Sequence, residues 1–205
     1  MRAEAACLGA FWALYAACFA ATRSARRACD LVSLAHHVLV VALAARAIAE
    51  SPTILSCNAD CFDHPSPAAW ALHSVNVGYF AYDAVLVALY YPKFVAHHAV
   101  VLCGLALVAC SGRGALGIAV SCLLTEVGGV AYVAYTLVRT RAAYVTFVAF
   151  YALTRAALAA WTWRFVARAL ASPEPVALAL AALQIGLTAV NARFCAHHVR
   201  KLCGV

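Results

Sequence analysis

The chain has 205 residues, of which 66% are hydrophobic and 11% are charged. Soluble domains are roughly 45–50% apolar and about 25% charged, so this composition indicates an integral membrane protein and leaves no length for a separate soluble domain. The net charge of +7 does not indicate a nucleic-acid partner, because the Lys and Arg residues form short clusters between apolar segments rather than a basic stripe.

Apolar segments of helical length follow one another along the chain, each bounded by charged residues, proline or glycine. They are continuously apolar and do not alternate, which favours helices over the strands of a membrane barrel. The predicted fold class is therefore an all-α membrane protein with about seven transmembrane helices, at about 5–22, 31–49, 67–91, 93–111, 115–138, 142–169 and 175–194.

The first segment can be read as a cleaved signal peptide or as a retained anchor. A basic run, Arg23, Arg26 and Arg27, follows the apolar stretch instead of preceding it, and this order favours a retained span. If the spans alternate in direction, most Lys and Arg residues outside them fall on one side of the membrane. The positive-inside rule then predicts a lumenal amino terminus and a cytosolic carboxyl terminus.

Two of the ten cysteines, Cys57 and Cys61, share a polar loop on the predicted lumenal side. An oxidising compartment permits a disulfide there, and two free thiols are the alternative. A metal site formed with His64 is not favoured, because three ligands at loose spacing lack a second Cys or His pair. We expect no metal site elsewhere either, since the candidate polar residues include no paired carboxylates.

Three ionisable residues, Asp83, His97 and His98, lie inside apolar segments, where such groups are expensive and indicate a functional site. Their two helices are predicted to form an antiparallel hairpin, which brings the carboxylate within reach of an imidazole. An aspartate beside an imidazole fixes its tautomer and raises its basicity, as a general base or an acylated nucleophile requires. We therefore predict a catalytic group of Asp83, His97 and His98, of which only one histidine can face a given direction.

Further polar residues of the spans are candidate ligand-binding groups. His36 and His37 enter from the cytosolic side at a depth similar to His97 and His98, and Asn191 ends the last span on that side. Glu126 and Arg155 lie deeper and are expected either to pair with each other or to face a wet cavity. A pair would be a structural ion pair or part of a ligand site.

Tyr79 and Tyr82 flank Asp83 and are predicted to donate hydrogen bonds into the site, with helix packing as the alternative role. His197 and His198 follow the last apolar segment beside Arg200 and Lys201, so we expect them in a basic tail that meets lipid headgroups.

Several of these residues stand in a pattern that resembles the TLC-domain membrane proteins over about residues 25–200. The resemblance rests first on the combination of a Tyr-Phe-x-x-Asp string with a following His-His pair. The matching strings are Gly78-Tyr79-Phe80-x-x-Asp83, the turn Lys93-Phe94, His97-His98, Ser33-x-x-His36, Leu123-Leu-Thr-Glu126 and Asn191-x-Arg-Phe.

This family includes ceramide synthases, which join a fatty acyl-CoA to a sphingoid base within a six-helix domain and use a His-His motif. It also includes members without established enzyme activity, linked to phospholipid composition, lipid sensing or cargo handling. The resemblance implies an anchor at residues 1–24, a six-helix TLC domain at 25–205, an endoplasmic-reticulum or other secretory-pathway membrane, and a lipid-holding cavity open to the cytosol. Because the synthases' paired aspartates are missing beyond His97-His98, the chain resembles the non-synthase members more.

Three hypotheses of function follow. The first is a protein that binds a lipid or acyl chain in an intramembrane cavity and regulates or remodels membrane lipids. The second is an acyltransferase that uses His97 or His98 with Asp83 and takes acyl-CoA as co-substrate. The third is a non-enzymatic scaffold or cargo receptor. We expect no bound cofactor, membrane lipids as partners, and leave a homodimer open.

Overall fold

The computed structural model describes residues 2–56, 62, 66–171 and 173–204. Within these ranges the chain contains seven α-helices, two short 3-10 helices and no strand, so the all-α fold class is confirmed. The candidate disulfide of Cys57 and Cys61 lies outside the described residues. The helices are α1 (Arg2–Thr22), α2 (Ala25–Glu50), α3 (Pro67–Tyr90), α4 (Val95–Ser111), α5 (Ala115–Val138), α6 (Arg141–Ala171) and α7 (Pro175–Cys203).

Local residues explain where the helices begin and end. Ser24 and Ser66 cap α2 and α3 through their side-chain oxygens, which accept hydrogen bonds from backbone N–H groups of the first turn. Gly112 and Gly204 end α4 and α7 in the left-handed conformation that glycine adopts without strain.

Two helices extend well beyond their apolar segments. Helix α2 begins at Ala25 rather than at residue 31, and α7 continues to Cys203 rather than ending at residue 194. Hydropathy marks the part of a helix that crosses hydrocarbon, whereas the backbone hydrogen bonds continue until a cap or a glycine stops them.

Six of the seven helices are long and apolar enough to cross a membrane. Helix α4 has 17 residues and is shorter; at about 1.5 Å per residue it spans roughly 26 Å. Large apolar side chains point away from the protein, such as Trp163, which is 76% exposed, and Leu153, which is 69% exposed. The chain is therefore a multi-pass integral membrane protein.

Six helices form a closed ring. Going round it, α2 contacts α3, α3 contacts α4, α4 contacts α7, α7 contacts α6, α6 contacts α5, and α5 returns to α2. Helix α1 packs outside the ring on α2 and α3. One helix thus lies outside a ring of six, whereas the division into an anchor and a six-helix TLC domain stays a prediction.

Glycines allow the closest approaches of the helices. A Cβ atom on Gly78 of α3 would stand 2.5 Å from Cys7 Cβ of α1, so no larger residue fits there without movement. On α5, a Cβ on Gly128 would stand 2.8 Å from Thr154 Oγ1 of α6, and one on Gly129 would stand 2.8 Å from the His37 ring of α2. Two consecutive glycines therefore let α5 close the ring on both sides.

Helices α1, α3, α5 and α7 finish at one end of the protein, which carries the arginine clusters and is called the basic end below. At the opposite end, Arg113 forms an ion pair with Glu174 and so joins the α4–α5 connection to the start of α7.

Candidate functional site

The predicted contact between Asp83 and His98 is present. His98 Nε2 lies 2.8 Å from Asp83 Oδ2, and both residues are buried. The other ring nitrogen, His98 Nδ1, donates to the carbonyl oxygen of Phe94 at 3.1 Å. Because a carbonyl and a carboxylate are both acceptors, the ring is held between them with no nitrogen left for a ligand.

His97 faces a different direction, as adjacent helical residues must. Its side chain lines a cavity inside the ring, and neither ring nitrogen has a hydrogen-bond partner among the residues that the structure describes. The ring centroids of His97 and Phe80 are 6.4 Å apart. Of the two adjacent histidines, His98 is therefore fixed by Asp83, whereas His97 is available to a ligand.

The earlier histidine pair is also divided between two environments. His36 is fully buried, its ring stacks on Tyr79 with centroids 3.5 Å apart, and its Nε2 donates to Asn76 Oδ1 at 3.0 Å. Tyr79 is itself fixed by a hydrogen bond of 2.9 Å to Ser33 Oγ. The remaining ring nitrogen, His36 Nδ1, is buried and has no hydrogen-bond partner.

His37 points toward α5 and pairs with Glu126 through Nδ1 and Oε2. The other carboxylate oxygen, Glu126 Oε1, has no recorded hydrogen bond within the described chain, and Glu126 lines the cavity. One potential ligand atom from each of His36, His37 and Glu126 lies within 4.8 Å of the others. This cluster was not predicted from the sequence, because it has a single carboxylate and its residues come from two helices that are distant in the chain.

Of the two alternatives for Glu126 and Arg155, the ion pair is wrong, and Glu126 instead lines the cavity. Arg155 donates through Nε to Asn191 Oδ1 at 2.8 Å and through Nη1 to the carbonyl oxygens of Leu124 and Thr125, both at 3.0 Å. Its guanidinium also lies 3.8 Å from the centre of the Tyr151 ring. Equal depth did not make Glu126 and Arg155 partners, because their side chains leave the helices toward different neighbours.

Other candidate ligand residues take structural positions. Tyr82 lies against the aromatic residues of α1, with its ring centroid 4.9 Å from that of Trp12, and its buried hydroxyl has no partner. Tyr79 bonds Ser33, so neither tyrosine donates to Asp83. Asn191 accepts from Tyr151 Oη at 3.0 Å as well as from Arg155. The packing alternative holds for both tyrosines.

The expectation of a basic lipid-facing tail is also wrong for His198. Because α7 continues past the apolar segment, His198 returns to the protein and its ring centroid lies 4.4 Å from that of Phe194 and 5.0 Å from that of Phe147. Its Nδ1 lies 3.2 Å from Tyr144 Oη. His197, by contrast, is exposed.

The cavity lies between α4 and α5 and is lined by five of the six ring helices. The space between the lining atoms measures about 690 Å³, counting the part that opens to the surroundings. Its walls are mostly apolar, with Phe80, Val100, Val101, Leu105, Ile118, Phe165, Leu180, Leu183 and Leu187 among them.

Apart from Thr125, whose hydroxyl donates to the Ser121 and Cys122 carbonyl oxygens of its own helix, the polar lining residues form two groups. The first is Asn76, His97 and Glu126; the second is Ser121 with Gln184, whose Oε1 accepts from Ser121 Oγ at 3.0 Å. Gln184 also donates to Thr162 Oγ1 at 3.1 Å, which satisfies it within the wall. The hydrogen-bonding groups left for a ligand are thus His97 and Glu126 Oε1.

Sequence reasoning missed Asn76, Tyr151 and Gln184, which fix His36, Asn191 and the cavity wall. One signal was available: amides inside apolar helices need a partner as ionisable groups do. Comparison with known proteins adds nothing to this list, since no family model, no curated protein and no solved structure matches the chain.

Proposed function

We propose that this protein binds a membrane lipid or acyl chain inside the helix ring, with the polar end of the ligand at His97 and Glu126. The observation that carries the proposal is the cavity between α4 and α5, which has mostly apolar walls and two unsatisfied polar side chains. Concave sites with apolar walls and a few convergent polar groups are the usual form of small-molecule sites.

The polar groups suit a ligand with a carbonyl, hydroxyl or amine near its head. Glu126 Oε1 accepts hydrogen bonds, while the His97 ring offers one donor and one acceptor when neutral. His37 holds the Glu126 carboxylate from the other side, so the acceptor is oriented before a ligand arrives. The apolar walls then accommodate the hydrocarbon chain, because they are as apolar as the bilayer interior that the chain leaves.

The resemblance to TLC-domain proteins supports the same proposal, and from it we propose residence in the endoplasmic reticulum or another secretory-pathway membrane. In that setting, binding a lipid chain serves to regulate or remodel membrane lipid composition. No step of this proposal requires a bound cofactor.

Acyl transfer is the second candidate function, and the free ring of His97 is the observation that favours it. In such a transfer an amine attacks the carbonyl carbon of an acyl thioester, His97 takes the amine proton, and the proton passes to the departing thiolate. Asp83 does not contact His97, because its carboxylate bonds the neighbouring His98. It therefore acts as a positioning residue for α4 in this scheme.

The binding proposal is tested by filling the cavity. A Cβ on Gly104, which lines the cavity, has no atom within 4 Å, so Gly104→Phe places a ring in the empty space. We expect purified Gly104→Phe to lose the lipid that co-purifies with the wild-type chain, measured by native mass spectrometry. The matched control is Gly9→Phe on α1, where a Cβ also has no atom within 4 Å and which does not line this cavity.

A photoreactive fatty acid gives an independent readout. Crosslinks are expected on peptides of α4 and α5 that line the cavity. Equal lipid retention by Gly104→Phe and Gly9→Phe, or crosslinks only at outward residues such as Leu153 and Trp163, contradicts the proposal. Incubation with acyl-CoA and a sphingoid base, followed by mass spectrometry for an N-acyl product absent from His97→Ala, separates transfer from binding.

A further inference from the structure

We infer that His36, His37 and Glu126 form a binding site for a zinc ion inside the helix ring. Two imidazoles and one carboxylate are a donor set that zinc takes in proteins when a fourth position is left open for water or a ligand. The three residues come from α2 and α5, and one ligand atom of each lies within 4.8 Å of the others. The inference does not depend on lipid binding, because the cavity can hold a lipid with or without the ion.

The tautomer of His36 is the first argument. Its Nε2 faces Asn76 Oδ1 at 3.0 Å, and Asn76 Nδ2 donates to Cys122 Sγ at 3.4 Å, which fixes Oδ1 as the acceptor. His36 Nε2 therefore carries the proton and Nδ1 carries the lone pair. That Nδ1 is buried without a hydrogen-bond partner, which is costly unless something else meets it.

The support around His36 is the second argument. Histidine ligands of metals usually donate their other N–H to an oxygen acceptor, which orients the ring. Asn76 does this, and Tyr79 fixes the plane of the ring by stacking at 3.5 Å with an angle of 8° between the planes. Ser33 in turn holds Tyr79 at 2.9 Å. Asn76, Tyr79 and Ser33 thus orient His36 as the residues around a metal-binding histidine usually do.

Reach is the third argument. Zn–N and Zn–O distances of about 2.0–2.2 Å put the donor atoms of a tetrahedral site roughly 3.3 Å apart. His37 and Glu126 already touch, so an ion entering between them requires their donor atoms to move apart to this distance. The Gly129 position leaves the space that the His37 ring needs. Glu126 also lines the cavity, so the fourth position is open to a water molecule or to an oxygen atom of a ligand.

Zinc fits better than the hard cations. Calcium and magnesium take six or more oxygen ligands, and this cluster offers one carboxylate. Binding requires both imidazoles neutral and the carboxylate ionised, so zinc displaces the proton that His37 shares with Glu126. The ion also provides a charge partner for Glu126, which Arg155 does not.

The test is the metal content of the full chain, purified in detergent without chelator. We expect about one zinc per chain by elemental analysis, and roughly tenfold or greater loss of zinc affinity in His37→Ala and in the nearly isosteric Glu126→Gln. The matched control is His73→Ala, because His73 is also buried with an unpartnered Nδ1 but has no carboxylate in its cluster. This variant should keep its zinc.

Two further measurements keep the inference testable if a variant fails to fold. Chelator-stripped wild-type protein should take up Co²⁺ with the visible absorption bands of a tetrahedral site, and Asn76→Leu should weaken that uptake about 10–100-fold. No zinc in the wild-type protein together with no Co²⁺ bands overturns the inference. Zinc retained equally by His37→Ala, Glu126→Gln and His73→Ala also overturns it. Because Glu126 belongs to both proposed sites, lipid retention is compared between zinc-loaded and chelator-stripped wild-type protein, which reports on lipid binding separately.

Discussion

The two pairs of adjacent histidines, His36-His37 and His97-His98, differ in what their rings contact. Adjacent residues of a helix face different directions, so the two rings of each pair lie in different surroundings. In each pair one ring is locked: His36 by Asn76 and Tyr79, His98 by Asp83 and Phe94. The second ring differs, since His37 meets Glu126 whereas His97 meets only the cavity. In each pair, one ring is thus fixed by hydrogen bonds, and the role of the second ring depends on what the facing helix presents to it.

The two locks also differ in kind. His98 is held by charge, between a carboxylate and a carbonyl, whereas His36 is held by an amide and an aromatic ring. Charged hydrogen bonds in a buried setting are strong while intact and costly when one partner is removed. The comparison therefore predicts large losses of stability at His98, smaller ones around His36, and small ones at His97.

The largest effect is expected from His98→Ala. The substitution leaves Asp83 buried without its donor and should lower the free energy of unfolding by about 3 kcal/mol. His97→Ala, its neighbour and control, removes no hydrogen bond and should cost below about 1 kcal/mol. Unfolding of both variants in mixed micelles of SDS and a mild detergent measures the difference. Equal losses of unfolding free energy in the two variants would mean that His98 is not held by Asp83 more tightly than His97 is held by its surroundings.

Gly78→Ala should cost about 2 kcal/mol, because the added methyl meets Cys7 Cβ at 2.5 Å and the backbone nitrogen of Leu8 at 2.8 Å. The displaced α1 carries Phe11, whose ring contacts both His36 and Tyr79, so the His36 lock loosens as well. Gly9→Ala on the outer face of α1 is the control and should gain up to about 1 kcal/mol in helix propensity. The same micelle titration checks both variants, and a neutral Gly78→Ala would show that α1 does not support the site.

Gly129→Ala tests the contact between the His37 ring and Glu126. The methyl group would stand 2.8 Å from His37 Cε1 and 2.9 Å from Nδ1, so the ring must leave Glu126, at a cost of about 1–2 kcal/mol. Histidine ¹⁵N NMR should show the His37 resonances shifting while those of His98 stay in place. Gly104→Ala, with open space around its Cβ, serves as the control. Unchanged His37 resonances in Gly129→Ala would contradict the contact.

The smallest effect is expected from Tyr79→Phe. It removes the hydroxyl that bonds Ser33 and keeps the ring that stacks on His36, so the loss should be about 1 kcal/mol. Tyr79→Leu removes the stacking too and should cost more. If Tyr79→Phe and Tyr79→Leu are equally unstable by thermal denaturation in detergent, stacking is not part of the His36 lock.

All seven helices could be predicted from hydropathy, since a span leaves a long apolar run whatever its neighbours are. The contact of Asp83 with His98 could be predicted as well, because a short turn joins their helices and fixes their relative depth. The contact between the neighbouring ring helices α2 and α5 could not, since they are distant in the chain and no local signal pairs them.

The error at Glu126 has a specific cause. His37 is twelve residues from the start of α2 and Glu126 twelve residues from the end of α5, so both lie about 18 Å from the basic end. Taking residue 31 as the start of α2 made His37 look shallower and left Arg155 as the only deep partner. The correct start of α2 would have shown that His37 and Glu126 lie at the same depth. The direction of the Arg155 side chain follows only from how the helices pack.

Closure of the ring between α2 and α5 has a consequence for biogenesis. His37 and Glu126 are 89 residues apart in the chain, so at about 5–20 residues per second the ribosome needs roughly 4–18 seconds to supply the second after the first. During that interval His37 of the nascent α2 is without its carboxylate partner. The pair that closes the ring between α2 and α5 can therefore form only after α3, α4 and the part of α5 up to Glu126 have been synthesised.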